Sequence, residues 1–81
     1  MNEQKTVFQI NDYGHIHLKL SEMLEASGLS RNALARNAHT RFEVIDRWCE
    51  NHVEKLDLDI LARICYVLEC RVDDLIEYVE K

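Results

Sequence analysis

The 81-residue sequence contains no proline and only two glycines, and no apolar run approaches the ~18–20 residues that a membrane helix requires. Its N-terminus lacks the basic segment and apolar stretch of a secretory signal. Its three cysteines, spaced C-x15-C-x4-C, match no common zinc-binding pattern. These absences argue against membrane insertion, secretion and zinc binding, and they predict a reduced, cytoplasmic protein.

The length accommodates one small domain and is too short for a large enzyme fold with a deep cleft. His15 and His17 would share one face of an extended segment, but no third metal ligand accompanies them. Asp73 and Asp74 are typical of a helix start, where carboxylates favour the helix dipole. We therefore expect no enzymatic activity, no metal or other cofactor and no small-molecule ligand.

Charge is unevenly distributed along the chain. The net charge of -5 argues against a general polyanion binder. Residues 1–29 carry a net charge of -2 and residues 56–81 carry -4, whereas residues 30–55 carry +1. An anionic partner would therefore approach the middle third of the chain without repulsion.

The first 17 residues predict an extended N-terminal arm. Thr6–Ile10 has the β-branched and aromatic density of a strand, and a turn signal follows at residues 11–14. The polar–apolar alternation from His15 to Leu20 also permits a second strand, so a hairpin is the alternative to a single arm. Helical spacing then predicts a first helix that begins at Leu18 or Lys19 and ends at Ser27, before Gly28.

Four more helices are predicted. Ser30 caps the second, a third spans about Arg41 to Glu50, and Asp57 caps the fourth. A fifth follows Arg71, with Val72, Leu75, Ile76 and Val79 facing inward. The inward positions are Leu34, Ala35 and Ala38 on the second helix and Ile45 and Trp48 on the third. On the fourth helix they are Leu61, Ile64, Cys65 and Leu68. The prediction is an all-α, five-helix domain at residues 18–81 behind the arm of residues 1–17.

Two short helices joined by a tight turn occupy Arg31–Glu50, which is the arrangement of a helix-turn-helix. Here the chain resembles the lambda-repressor and Cro type of helix-turn-helix domain, particularly its small stand-alone members. Three segments carry the resemblance: LKLSEMLEASGLSRNALARNA, VIDRWCEN and LDLDILARICYVLECRVDDLIEYV. The resemblance implies a DNA-binding transcriptional regulator, often dimeric, whose third helix reads base edges in the major groove.

The sequence departs from this family at the start of the second helix, at the turn and on the third helix. His39 stands where the family has glycine, and histidine is among the residues enriched at positive φ. Arg31 and Asn32 stand where the family has glutamine, and both can donate to phosphate. Lys55 is a further phosphate candidate. The candidate contacts of the third helix are Arg41, Phe42, Glu43, Asp46 and Arg47.

The acids on the third helix leave two hypotheses open. Glu or Asp can accept a hydrogen bond from cytosine N4, and arginine can donate two hydrogen bonds to guanine O6 and N7. Phe42 can contact a thymine methyl group. Sequence-specific binding to double-stranded DNA is the first hypothesis. The second is a protein-interaction module, antitoxin-like or phage-encoded, that uses the acidic face of Glu43, Asp46 and Glu50. In addition, the strand-like arm predicts a homodimer, because small domains often cover such an edge with a second copy.

Overall fold

A computed structural model describes residues 4–81 of the chain. Five helices and two strands follow one another in the order β1, α1 to α5, β2. Their bounds are β1 His15–Leu18, α1 Leu20–Ser27, α2 Arg31–Asn37, α3 Phe42–Cys49, α4 Leu58–Leu68, α5 Val72–Leu75 and β2 Ile76–Val79. Among the described residues, no helix is long and apolar enough to cross a membrane.

Side-chain caps fix where two of the helices begin. Ser30 accepts a hydrogen bond from the backbone N–H of Ala33 at 3.0 Å, as its position before α2 predicts. Asp57 accepts hydrogen bonds from the backbone N–H groups of Asp59 and Ile60 at 2.9 and 3.2 Å. Gly28 ends α1 in the left-handed conformation, with φ 79°. These three predictions are confirmed.

The core lies where α1, α2, α3, α4 and α5 meet, and five of its aliphatic side chains have no solvent exposure: Leu20, Leu34, Ile45, Ile64 and Leu75. Trp48 is 3% exposed, so its predicted core position is confirmed. Val72 is the exception, because it is 51% exposed instead of facing inward. Cys65 and Leu68 lie at the core's edge and are half-buried.

The all-α prediction is wrong in one respect, because the two strands form an antiparallel sheet. Its register pairs His15 with Val79 and Leu18 with Ile76. The predicted fifth helix therefore ends at Leu75, and Ile76 and Val79 belong to a strand. Ile76, Tyr78 and Val79 are β-branched or aromatic residues, which favour a strand. The partner strand β1 is more than fifty residues away in sequence.

Asn51 connects the sheet to the helical body, and Gly14 connects the arm to the sheet. The Asn51 amide accepts from the Leu18 N–H at 2.6 Å and donates to the Leu18 carbonyl at 3.0 Å. Gly14 passes so close to β2 that an added Cβ would lie 1.8 Å from the Val79 carbonyl oxygen. The Gly14 N–H also donates to the Tyr78 hydroxyl at 2.9 Å.

The predicted arm divides into two parts. Residues 15–17 lie in β1, so the alternation there does indicate a strand, but its partner is β2. Thr6–Ile10 forms no strand among the described residues, which excludes the hairpin alternative. A turn follows in which the Asp12 carboxylate accepts from the N–H groups of Phe8 and Gln9. These two hydrogen bonds lower the pKa of Asp12. Residues 1–3 of the predicted arm lie outside the described residues.

Candidate nucleic-acid interface

The turn between α2 and α3 brings the two helices into close contact. Ala35 and Ala38 are 4% and 3% exposed, and their small side chains allow the helices to approach closely. His39 has φ 57°, as its position in the turn predicts. The Thr40 N–H donates to the Ala35 carbonyl at 2.9 Å and closes the end of α2. From α4, the Arg63 guanidinium donates to the His39 carbonyl at 3.0 Å, which holds the turn against the helical body.

The two sides of α3 have different chemistry. Ile45, Trp48 and Cys49 are buried against the core, and burial raises the pKa of the Cys49 thiol. Glu43, Asp46, Arg47 and Glu50 recur at i, i+3, i+4 and i+7, so they share the outward side of the helix. This outer face of α3 is open to solvent among the described residues, and a single α-helix of this kind fits the major groove of DNA.

Arg31 connects the start of α2 to two of the acids on this face. Its Nη1 lies 2.6 Å from Oδ1 of Asp46 and 3.0 Å from Oε2 of Glu50. Hydrogen bonds to Glu50 and Asp46 raise the pKa of Arg31. One cation therefore balances part of the negative charge on the outer face of α3, and it comes from α2, the neighbouring helix.

Arg47 and Lys55 line a shared concavity of about 270 Å³ at the end of α3, together with His52, Glu54 and Asp57. The His52 N–H donates to the Arg47 carbonyl at 2.9 Å, so the end of α3 forms a six-residue Schellman motif. In such a motif the first and last side chains commonly lie together, as Arg47 and His52 do in this concavity. Among the described residues, neither Arg47 nor Lys55 belongs to an ion pair.

Arg41, Phe42 and Glu43 lie at the start of α3. Arg41 is the extended residue just before the helix, and the Phe42 side chain is 41% exposed. Asn32 is exposed in the first turn of α2. The eight predicted residues are thus gathered into three groups around one helix: Arg31, Asn32 and Asp46; Arg41, Phe42 and Glu43; Arg47 and Lys55.

Sequence reasoning overlooked two residues of this region. His52 follows a helix end in a segment without periodicity, and only the Schellman pattern places it beside Arg47. Arg63 contacts the turn from α4, and its i,i+4 pair with Asp59, at 2.8 Å, is the one feature of this contact that the sequence could reveal.

The sequence profile of a family described as the Cro/C1-type helix-turn-helix DNA-binding domain matches residues 19–81. No curated protein matches the chain. Among solved structures, the chain is similar to a Bacteroides fragilis protein described as a proposed DNA-binding protein. The two are 22% identical and superpose with a TM-score of 0.69 over 78% of this chain and all of the other, which shows a shared fold.

Proposed function

The chain belongs to the Cro/C1-type helix-turn-helix DNA-binding domain family, and we propose that it is a sequence-specific transcriptional regulator whose α3 lies in the major groove. The observation that carries this proposal is the uncovered outer face of α3. This face presents an arginine and carboxylates, and an aromatic side chain, Phe42, lies at the start of the same helix. These are groups that distinguish bases. The function is binding and not catalysis.

Each group of residues has a proposed role. Arg47 donates to guanine, Phe42 contacts a thymine methyl and Glu43 accepts from cytosine N4. Asn32, Arg41 and Lys55 contact phosphates, which fix the register of the protein on the duplex. Asp46 acts through Arg31. The Asp46 carboxylate orients the Arg31 guanidinium, whose remaining N–H groups then donate to DNA phosphates beside α2.

The ion pairs of Arg31 favour DNA over an acidic protein-docking face. A docking surface made of Glu43, Asp46 and Glu50 would attract a basic partner through the negative charge of these carboxylates. Two of these three are within 3.0 Å of the Arg31 guanidinium. The remaining carboxylate, Glu43, would repel phosphates outside a matched site, which favours selective over general binding.

Selection from a pool of random duplexes at low salt tests the proposal. We expect one short sequence to be enriched. Arg47→Ala should weaken binding to that sequence by about 1–3 kcal/mol and relax selection at one base pair. Arg71→Ala is the matched control, because Arg71 is an exposed arginine before α5, away from α3. It should bind as the parent does.

Two results would contradict the proposal. Enrichment of no sequence by a folded protein would mean that the outer face of α3 has another partner, with a protein as the first alternative to examine. Equal affinity of the Arg47→Ala variant and the parent for the enriched sequence would remove Arg47 from the interface.

We also propose that the chain forms a homodimer through residues 5–10 of the arm. Val7, Phe8 and Ile10 are 64%, 84% and 83% exposed, which is a concentration of apolar surface that water disfavours. A second copy would cover these side chains, and a dimer would place two α3 helices on two half-sites.

Sedimentation of the Phe8→Asp variant tests the dimer. Phe8 contributes almost nothing to the monomer's core, so this change should halve the sedimenting mass and leave helix content unchanged. Tyr66→Asp is the control, since Tyr66 is 85% exposed on α4 and lies outside the arm. Deletion of residues 1–11 should repeat the effect. A parent protein that is already monomeric at micromolar concentration contradicts the dimer.

A further inference from the structure

The C-terminal end of α4 brings two cysteines together. Glu69 has φ 51° and ψ 51°, and its N–H donates to the Tyr66 carbonyl at 3.3 Å. The Cys70 N–H donates to the Cys65 carbonyl at 3.1 Å. These two hydrogen bonds define a Schellman motif, in which a contact between the side chains of the first and last residues is common. Here those residues are Cys65 and Cys70.

The surroundings of this pair are consistent with direct thiol–thiol contact. Cys65 and Cys70 line one open cavity together with Val72 and Ile76, and both side chains are half-buried. Burial, together with the neighbouring Cys65, raises the pKa of the Cys70 thiol to about 11. At neutral pH the Cys70 thiol is therefore protonated.

Neither a structural zinc ion nor the third cysteine offers an alternative partner. A structural zinc ion takes four ligands, and no group of three His, Cys, Asp or Glu side chains suited to a metal occurs among the described residues. Cys49 is only 6% exposed in the core, on α3, and is not part of this cavity. The chemistry that remains for two adjacent thiols is oxidation.

We propose that Cys65 and Cys70 are a redox-active pair that hydrogen peroxide converts to an intramolecular disulfide across the end of α4. One thiol first loses its proton, and the resulting thiolate attacks a peroxide oxygen. The S–O bond forms, the O–O bond breaks, and the hydroxide that leaves takes up the released proton as water. The resulting sulfenic acid is attacked by the second thiol, the S–S bond forms, and a second water leaves. The two sulfurs are oxidised together by two electrons, and the peroxide is reduced.

Peptide mapping after peroxide treatment of the folded, full-length protein tests the proposal. We expect the number of titratable thiols to fall from three to one and the intact mass to fall by about 2 Da, since a disulfide removes two hydrogen atoms. The map should contain a peptide linked between Cys65 and Cys70. Dithiothreitol should restore all three thiols.

The matched variants are Cys65→Ser and Cys70→Ser, each of which leaves one thiol of the pair without its partner. Neither should lose 2 Da. Protein oxidised in urea is a second control, in which links involving Cys49 should appear as well. The proposal is wrong if the folded parent retains three thiols, gains oxygen on separate cysteines, or forms links through Cys49 or between chains.

Discussion

At the scale of single residues, the scarcity of glycine has a structural consequence. Three helices end on residues with positive φ that are not glycine: His39, Asn51 and Glu69, with φ of 57°, 61° and 51°. In each case the next residue's N–H closes a Schellman motif. For a residue with a Cβ this conformation costs about 1–2 kcal/mol, so each end is held by its surroundings.

His39 provides the residue-scale prediction. His39→Gly should raise the free energy of unfolding by about 0.5–1 kcal/mol, because the strain of the Cβ disappears while the carbonyl that Arg63 contacts remains. Urea unfolding measures this difference. His39→Ala retains the Cβ and should show no gain. A glycine variant less stable than the parent would contradict the assigned turn conformation.

At the scale of elements, the sheet depends on the close passage of Gly14 beside β2. Gly14→Ala should lower the free energy of unfolding by about 1–3 kcal/mol, because the added Cβ would collide with the Val79 backbone. Gly28→Ala is the comparison, because it separates backbone strain from collision. The φ of Gly28 is 79°, but no atom lies within 4 Å of an added Cβ.

Hydrogen exchange separates these two glycine variants. Gly14→Ala should accelerate exchange of the amides that pair β1 with β2, whereas Gly28→Ala should loosen the end of α1 and leave the sheet protected. Unchanged sheet protection in Gly14→Ala would mean that the two strands do not pass as closely as the structure places them.

Sequence reasoning identified the helices better than the sheet, and for a physical reason. Caps such as Ser30 and Asp57 and the inward spacing of Ile45 and Trp48 are local signals, readable within one or two turns. The pairing of β1 with β2 joins the two ends of the chain. Ile76 and Val79 suit the inward side of a helix as well as a strand, and only the distant partner decides between them.

The sequence predicts the nucleic-acid interface only in part, for a related reason. The eight candidate residues follow from their positions in the helix-turn-helix, but the link from Arg31 to Asp46 and Glu50 spans fifteen and nineteen residues of sequence. The helical spacing rule offers the acids of α3 partners only within the same helix. Packing of α2 on α3 supplies the partner instead, and no local spacing rule contains that information.

At the scale of the whole molecule, negative net charge and the negative charge of one residue on α3 both disfavour binding to arbitrary DNA. The chain carries a net charge of -5, so its affinity for arbitrary duplex DNA should be weak. Glu43 is the carboxylate on α3 that Arg31 does not reach among the described residues.

Removal of the Glu43 charge gives a prediction at this scale. Glu43→Gln should raise affinity for random-sequence duplex severalfold at low salt, and the gain should shrink as salt is added because the effect is electrostatic. Glu25→Gln removes the same charge from the exposed side of α1 and should have little effect. Fluorescence anisotropy at several salt concentrations measures both variants. Equal gains would mean that only total charge matters and that Glu43 lies far from the duplex.

Methylation protection on the selected duplex tests most directly whether α3 lies in the major groove, as we propose. Dimethyl sulfate methylates guanine N7 in the major groove and adenine N3 in the minor groove. Bound protein should protect guanine N7 within the site and leave adenine N3 reactive, and Arg47→Ala should restore reactivity at a single guanine. Protection of adenine N3 alone, or protection of guanine N7 that is identical with and without Arg47, would contradict the placement of α3.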